Sequence, residues 1–161
     1  MSNTPVTIVE ADPEMIARVL PLLNGTQAKY AQTAAGFTLF ALQPNASPSV
    51  PPVNADTSAK PVGLLAVEIR NLPEPLADIT EAFINIIEVD EPLRRRAIAS
   101  RMIGIAAARA RERGASQLRA WTSHDKTAAL AMWHRLGFCL CPATERFNGE
   151  EVRVFYVVLR V

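Results

Sequence analysis

The stretch that most constrains this chain is Phe83–Met102, F-I-N-I-I-E-V-D-E-P-L-R-R-R-A-I-A-S-R-M. It reads as a buried strand, a short loop and a helix that opens on three arginines. The strand, Phe83–Val89, is apolar on both faces except at Asn85 and Glu88, which is the pattern of a central strand. The helix is predicted over Arg95–Arg113, ending before Gly114, and its middle, M-I-G-I-A-A-A, is apolar or small almost all round. Such a helix packs closely against a sheet. Its opening runs against helix electrostatics. The first turn leaves N–H groups unpaired and carries partial positive charge, so acids are preferred there and bases are not. Arg94, Arg95 and Arg96 therefore imply either an anion held at the helix start or a solvated basic turn.

The rest of the chain surrounds this unit with short elements. Thr7–Glu10 is a strand, and Asp12-Pro13 starts a helix expected to reach Leu23, with Pro21 distorting its last turn. A second helix is predicted over Gln27–Ala35, capped by Thr26 and closed by Gly36. Phe37–Leu42 and Val62–Arg70 are strands flanking a Pro-, Ser- and Ala-rich stretch, Gln43–Lys60, which has no apolar period and reads as a long mobile hairpin loop. Asn71–Glu81 is a loop with two prolines. Gln117–Thr122 is a strand and Asp125–Leu136 a helix closed by Gly137. Phe138–Phe147 and Val152–Arg160 form a hairpin about Asn148-Gly149, the strongest two-residue turn signal in the chain. The order β-α-α-β-β-β-α-β-α-β-β makes a mixed α/β (α+β) sheet, mostly antiparallel and flanked by helices.

A chain of 161 residues fits one domain, 1–161, with a loop at about 43–60. With 20% charged residues and a net charge of +1, it has no basic excess to attract nucleic acid or a membrane surface. The first residues, M-S-N-T-P-V-T, do not read as a signal peptide. Cys139 and Cys141 stand two apart, where they cannot easily bridge each other, and a reduced cytoplasmic setting fits. The two histidines are ten positions apart, so no metal-ligand spacing exists.

Two motifs resemble one family. Val89–Ala99, V-D-E-P-L-R-R-R-A-I-A, is similar to the acyl-CoA signature of the GNAT N-acetyltransferase superfamily, a strand ending in Val and then Arg/Gln-x-x-Gly-x-Gly/Ala. Arg94 takes its first position, Ala97 its first Gly and Ala99 its second. Farther on, H-D-K-T-A-A-L-A-M-W-H-R-L-G-F resembles the family's Asn-x-x-Ala-x-x-x-Tyr-x-x-x-Gly-Phe, with Ala129, Gly137 and Phe138 matching. Two motifs in order on the expected elements form a joint signal. The resemblance implies that acetyl-CoA is the acyl donor. The N–H groups of Arg95, Arg96, Ala97, Ile98 and Ala99 would hold its pyrophosphate, and the Val89 backbone would meet the pantetheine arm. The central strand and Gln117–Thr122 would splay to admit that arm. Side chains of Arg94–Arg96 would add charge near the 3′-phosphate.

Three positions depart from the family. Ala97 stands in place of Gly, and its methyl is tolerated if the residue keeps ordinary helical dihedrals. Trp133 replaces the Tyr that commonly protonates the leaving thiolate, and an indole N–H donates a hydrogen bond but is no general acid. Lys126 replaces an Asn that commonly contacts the cofactor, and its ammonium can reach a phosphate or stay solvated.

The chemistry asks for a base more than an acid. A thiol's reference pKa of ~8.5 makes thiolate a fair leaving group. The attacking amine must lose a proton, directly or through water. Glu88, an acid in an apolar strand, is the first candidate base, although it can equally sit at the strand's wet end. Asn85 could orient a substrate or be a satisfied core amide. His124, where a strand meets the next helix, and Tyr156, in the last strand, are further catalytic candidates; Tyr30 and His134 rank below them. Cys139 and Cys141 have no base near them in sequence, as expected of buried, inert strand thiols.

Three functions compete. The first is acetyl-CoA-dependent N-acetyl transfer to a small-molecule or peptide amine. The second is an acyl-CoA-binding protein of the same fold without transfer. The third is a basic interaction module, against which the near-neutral charge argues. Dimerisation is common in the family, so a homodimer is open.

Overall fold

Asp12 and Pro13 start the first helix as their chemistry predicts. The Met15 N–H donates to Asp12 Oδ1 at 2.7 Å, and proline occupies the first turn, where its missing N–H has no cost. The computed structural model describes residues 5–32, 35–44 and 59–161. Its strands are β1 (Thr7–Glu10), β2 (Gly36–Pro44), β3 (Ala59–Asn71), β4 (Thr80–Val89), β5 (Gln117–Ser123), β6 (Cys139–Phe147) and β7 (Glu150–Arg160). Its helices are α1 (Pro13–Val19), α2 (Gly25–Ala31), α3 (Ile98–Glu112) and α4 (Thr127–Arg135). The element order is the expected one. Most of the Pro-rich stretch expected as a loop lies outside the described residues.

The strands form one seven-stranded sheet in the order β1-β2-β3-β4-β5-β7-β6. β1–β2, β5–β7 and β6–β7 pair antiparallel, while β4–β5, joined through the crossover helix α3, pair parallel. The class read from the sequence, a mixed and mostly antiparallel sheet with helices, holds. Contacts group the chain into two compact units, 1–67 with 86–103 and 68–85 with 104–161.

In the first unit, Val19 of α1 and Ala31 of α2 are buried with Phe40 and Leu64 of the sheet. Pro21 shapes the chain after α1, but as part of a separate 3-10 turn, Leu20–Leu22, so the α-helix stops at Val19 rather than Leu23. The second helix is also displaced. Asn24, not Thr26, is its N-cap, and it ends at Ala31 rather than Ala35. The reason is a reciprocal pair. The Gln27 N–H donates to Asn24 Oδ1 at 2.9 Å and the Asn24 N–H to Gln27 Oε1 at 3.1 Å, a capping box with Gln at its third position.

In the second unit, the hairpin turns where both residues can take positive φ: Asn148 at 51° and Gly149 at 86°. α4 ends in a Schellman motif. Gly137, at φ 85°, donates its N–H to His134 O, and Phe138 donates to Trp133 O at 3.1 Å. The sequence Leu136-Gly137-Phe138 is thus a helix stop with a mechanical reason. Glu81 is the other organiser of this unit. It is 1% exposed and accepts from Arg70 Nε (2.9 Å), Arg119 Nη2 (3.0 Å) and Gln117 Nε2 (2.8 Å). Both guanidinium groups also lie over the Phe83 ring, Arg70 at 4.1 Å and Arg119 at 5.4 Å.

Candidate active site

The three arginines are not the first turn of a helix. After β4, Glu91–Leu93 close a 3-10 turn, Arg94 is extended, and α3 begins only at Ile98. Leu93 and Ile98 are buried and pin the ends of the loop, while Arg94, Arg95, Arg96 and Ala97 between them are exposed. The expected conflict with the helix dipole is removed, because the basic side chains precede the helix. The backbone takes the strain instead. Arg95 has φ 64° and Ala97 φ 59°, in the left-handed region that costs an L-residue ~1–2 kcal/mol. The condition for tolerating the Ala97 methyl, ordinary helical dihedrals, is therefore not met. Ala97 sits where a glycine fits best, because glycine takes a left-handed φ with no Cβ penalty.

The consequence is a run of free donors. Among the described residues, the Arg94 N–H pairs with Glu91 O at 3.2 Å and the Arg101 N–H with Ala97 O at 3.0 Å, but no N–H from Arg95 to Ser100 meets a backbone carbonyl. Consecutive donors at a helix start preceded by left-handed residues make a cradle for an anion with several oxygens. Arg94 itself turns back. Its Nε donates to Val89 O at 3.0 Å, so the end of β4 and the start of the cradle are tied together.

The same unit holds a cavity of about 360 Å³. Glu88, Val89, Asp90, Glu91 and Arg94 line it together with Leu22, Leu23 and Gln27, and Lys60, Pro61, Gly63 and Leu64 of β3 contribute as well. Gly63 is closely packed there. A Cβ on it would come 3.1 Å from Ala41 Cβ and 3.3 Å from Glu88 O. Glu88 is exposed, and its Oε2 accepts from Gln27 Nε2 at 2.5 Å. Lys60 Nζ lies 3.5 Å from Asp90 Oδ2.

Tyr30 lies on α2 in the first unit, and the remaining candidates lie in the second. His124 donates its Nδ1–H to Arg153 O at 3.2 Å, which leaves Nε2 as the nitrogen able to accept. Lys126 is exposed and lies 3.9 Å from Asp125. Trp133 is 2% exposed, with its Nε1–H on Thr122 Oγ1 at 3.0 Å. The Tyr156 hydroxyl donates to Glu145 Oε1, and that bond, with burial, raises its pKa above 10.0. No hydrogen bond joins His124, Trp133 and Tyr156 to one another among the described residues. Asn85 Nδ2 reaches Glu68 Oε2 at 3.5 Å. Both cysteines are exposed on β6, at the end of the strand order, and not buried as expected. β4 pairs β5 from Glu81↔Gln117 to Phe83↔Arg119.

Sequence reasoning missed Gln27 and Glu81. Gln27 was legible in Asn24-Gly25-Thr26-Gln27, a capping-box spacing. Nothing in one sequence marks Glu81, whose three partners come from β3 and β5.

Residues 19–138 match the profile of the acetyltransferase (GNAT) family. The chain belongs to that family. As a GNAT member it is an enzyme of the acetyltransferase class. No curated protein matches it in sequence. Among solved structures, Arabidopsis thaliana NAA60 in complex with a bisubstrate analogue is similar at a TM-score of 0.70 and 14% identity, over 98% of this chain and 99% of that one. The same protein in complex with acetyl-CoA gives 0.68 and 12%, over 98% and 99%. The IAA acetyltransferase from Bacillus cereus ATCC 14579 gives 0.59 and 17%, over 98% and 100%. At these identities the likeness shows the GNAT fold. No helix among the described residues is long and apolar enough to cross a membrane.

Proposed function

We propose that the chain moves the acetyl group of acetyl-CoA onto a primary amine, with Glu88 taking the proton from the attacking nitrogen. The observation that carries this reading is the exposed Glu88 carboxylate on the wall of a cavity that also includes Val89 and Arg94, the residue that precedes the free N–H run in the chain. The bound cofactor supplies a thioester carbonyl. The chain's own groups bind, orient and deprotonate. The N–H groups of Arg95 to Ala99 hold the diphosphate. The exposed side chains of Arg95 and Arg96 face solvent, where a further phosphate can be met. Val89 offers its backbone to the pantetheine arm. Its carbonyl accepts from Arg94 and keeps a second lone pair.

Glu88, Asp90 and Glu91 outnumber Lys60 and Arg94 on the cavity by one charge, a balance that favours an arriving ammonium ion. The neighbouring folds include the NatC complex bound to Gag peptide and nourseothricin acetyltransferase, so peptide and small-molecule amines both belong in an acceptor panel. No strong acid is required for a thiolate whose thiol has a pKa of ~8.5. The proposed setting is the reducing cytoplasm, where the exposed Cys139 and Cys141 stay thiols.

Two assays test the proposal. Acetyl-CoA at ~100 times its dissociation constant should add ~2.7 kcal/mol to stability, seen as a raised Tm. Thiol release over the amine panel should then find a turned-over acceptor, and Glu88→Gln should lower kcat by ~10²–10⁴. Cofactor binding with no turnover of any amine would leave a binder without transfer.

A further inference from the structure

We propose that Gln27 is a positioning residue for Glu88, clamped by the cap of α2 so that one carboxylate oxygen is held and the other is presented to the cavity. This rests on the reading of Glu88 as the base. Gln27 is fixed at both ends of its amide. Its Oε1 accepts from the Asn24 N–H at 3.1 Å, and its Nε2 donates to Glu88 Oε2 at 2.5 Å, across 61 residues of sequence. The orientation follows from chemistry, since a backbone N–H only donates and a carboxylate only accepts. The Gln27 N–H in turn donates to Asn24 Oδ1, so the backbone beneath the side chain is fixed as well.

A capping box works equally well with Glu or Gln at this position. The helix needs an oxygen there and has no use for an NH₂. The amide nitrogen is the part that does something else, and what it meets is Glu88. With Oε2 occupied, Oε1 is the oxygen without a protein partner among the described residues. The other charged groups on the cavity are Lys60, Asp90, Glu91 and Arg94. Lys60 is on Asp90 and the Arg94 Nε on Val89 O, so Gln27 is the side chain that orients Glu88.

Gln27→Glu separates the two roles. It keeps an oxygen for the Asn24 N–H, so Tm should move by only about 1–3 °C. It replaces the donor by a second carboxyl, and two carboxyls in contact compete for one proton. With the fastest amine of the panel, kcat/KM should fall ~10–100-fold, chiefly in kcat, and its acid limb should move to higher pH. In a Glu88→Gln background the same change should add no further loss. A second arm needs no acceptor. In amide NMR spectra of the full chain, the Gln27 side-chain NH₂ signals should shift as Glu88 titrates and stay fixed in Glu88→Gln. If Glu88→Gln is slow while Gln27→Glu keeps wild-type kcat/KM and acid limb, the positioning role is overturned and the base stands. If Glu88→Gln turns over normally, the base falls and positioning with it. NH₂ signals blind to the Glu88 substitution would overturn the clamp directly.

Discussion

The indole N–H of Trp133 donates to the Thr122 hydroxyl at 3.0 Å, and its ring meets Phe138 edge-on with centroids 4.8 Å apart. Phe138 is the second residue past the α4 cap, and its own N–H returns to Trp133 O. Helices that end this way often pair the two side chains involved. Trp133, at the position of the family's Tyr, thus works as the buried lock of the helix stop. Trp133→Phe should cost ~1–3 kcal/mol, through the lost hydrogen bond and the volume removed. Denaturant unfolding would register that loss, and kcat should stay within about twofold of wild type. Loss of turnover at unchanged stability would assign the indole to the reaction instead.

Ala97 should respond in the opposite direction. Its φ of 59° strains any residue with a Cβ. Gly relieves ~1–2 kcal/mol of that strain and returns ~0.4–1 kcal/mol through the greater freedom of the unfolded chain. Ala97→Gly should therefore stabilise by roughly 0.5–1 kcal/mol and bind CoA as tightly or more so, while Ala97→Val should destabilise. Urea unfolding and calorimetric CoA titration on the same proteins check both.

The sequence exposed some of this and hid the rest for physical reasons. Element order, the Asn148-Gly149 turn and the α4 stop were legible because glycine and amphipathic period act locally. The α3 boundary was not. Arg94–Arg96 and Ala97 have adequate helix propensity, and what keeps them out of the helix is Leu93 and Ile98, each buried by tertiary packing. Glu88 could be nominated from its strand pattern, but the amide that holds it lies 61 residues away. Likewise, Trp133 could be seen to be no acid, while its partner Thr122 could not be seen at all.

Glu81 is predicted to be the most sensitive charge in the second unit. At 1% exposure it neutralises two arginines that are 36% and 28% exposed. Glu81→Ala leaves both arginines without their carboxylate and should cost ~3 kcal/mol or more, a Tm loss of ~6–12 °C for a chain of this size. Glu81→Gln keeps one acceptor and should cost less. Differential scanning calorimetry of the two variants orders them.

Tyr156 predicts an alkaline effect. Its pKa is raised first by the hydrogen bond to Glu145, then by burial and by the charge of Glu145, against the lowering influence of Arg119 and Arg70. The folded value thus lies above the unfolded one. The stabilisation belongs to the neutral phenol, is fully present below about pH 10, and is lost as pH rises through the folded value. Tyrosinate absorbance should show one phenol ionising late in the wild type. In Glu145→Gln its midpoint should fall, and in Tyr156→Phe the late step should vanish.

In the proposed function, the backbone between Arg94 and α3 holds the diphosphate of coenzyme A. An amide NMR titration of the full chain with CoA tests it most directly. The backbone N–H signals of Arg95 to Ser100 should shift most, together, and with one dissociation constant. Saturating CoA that leaves these amides in place while shifting others more strongly would contradict it.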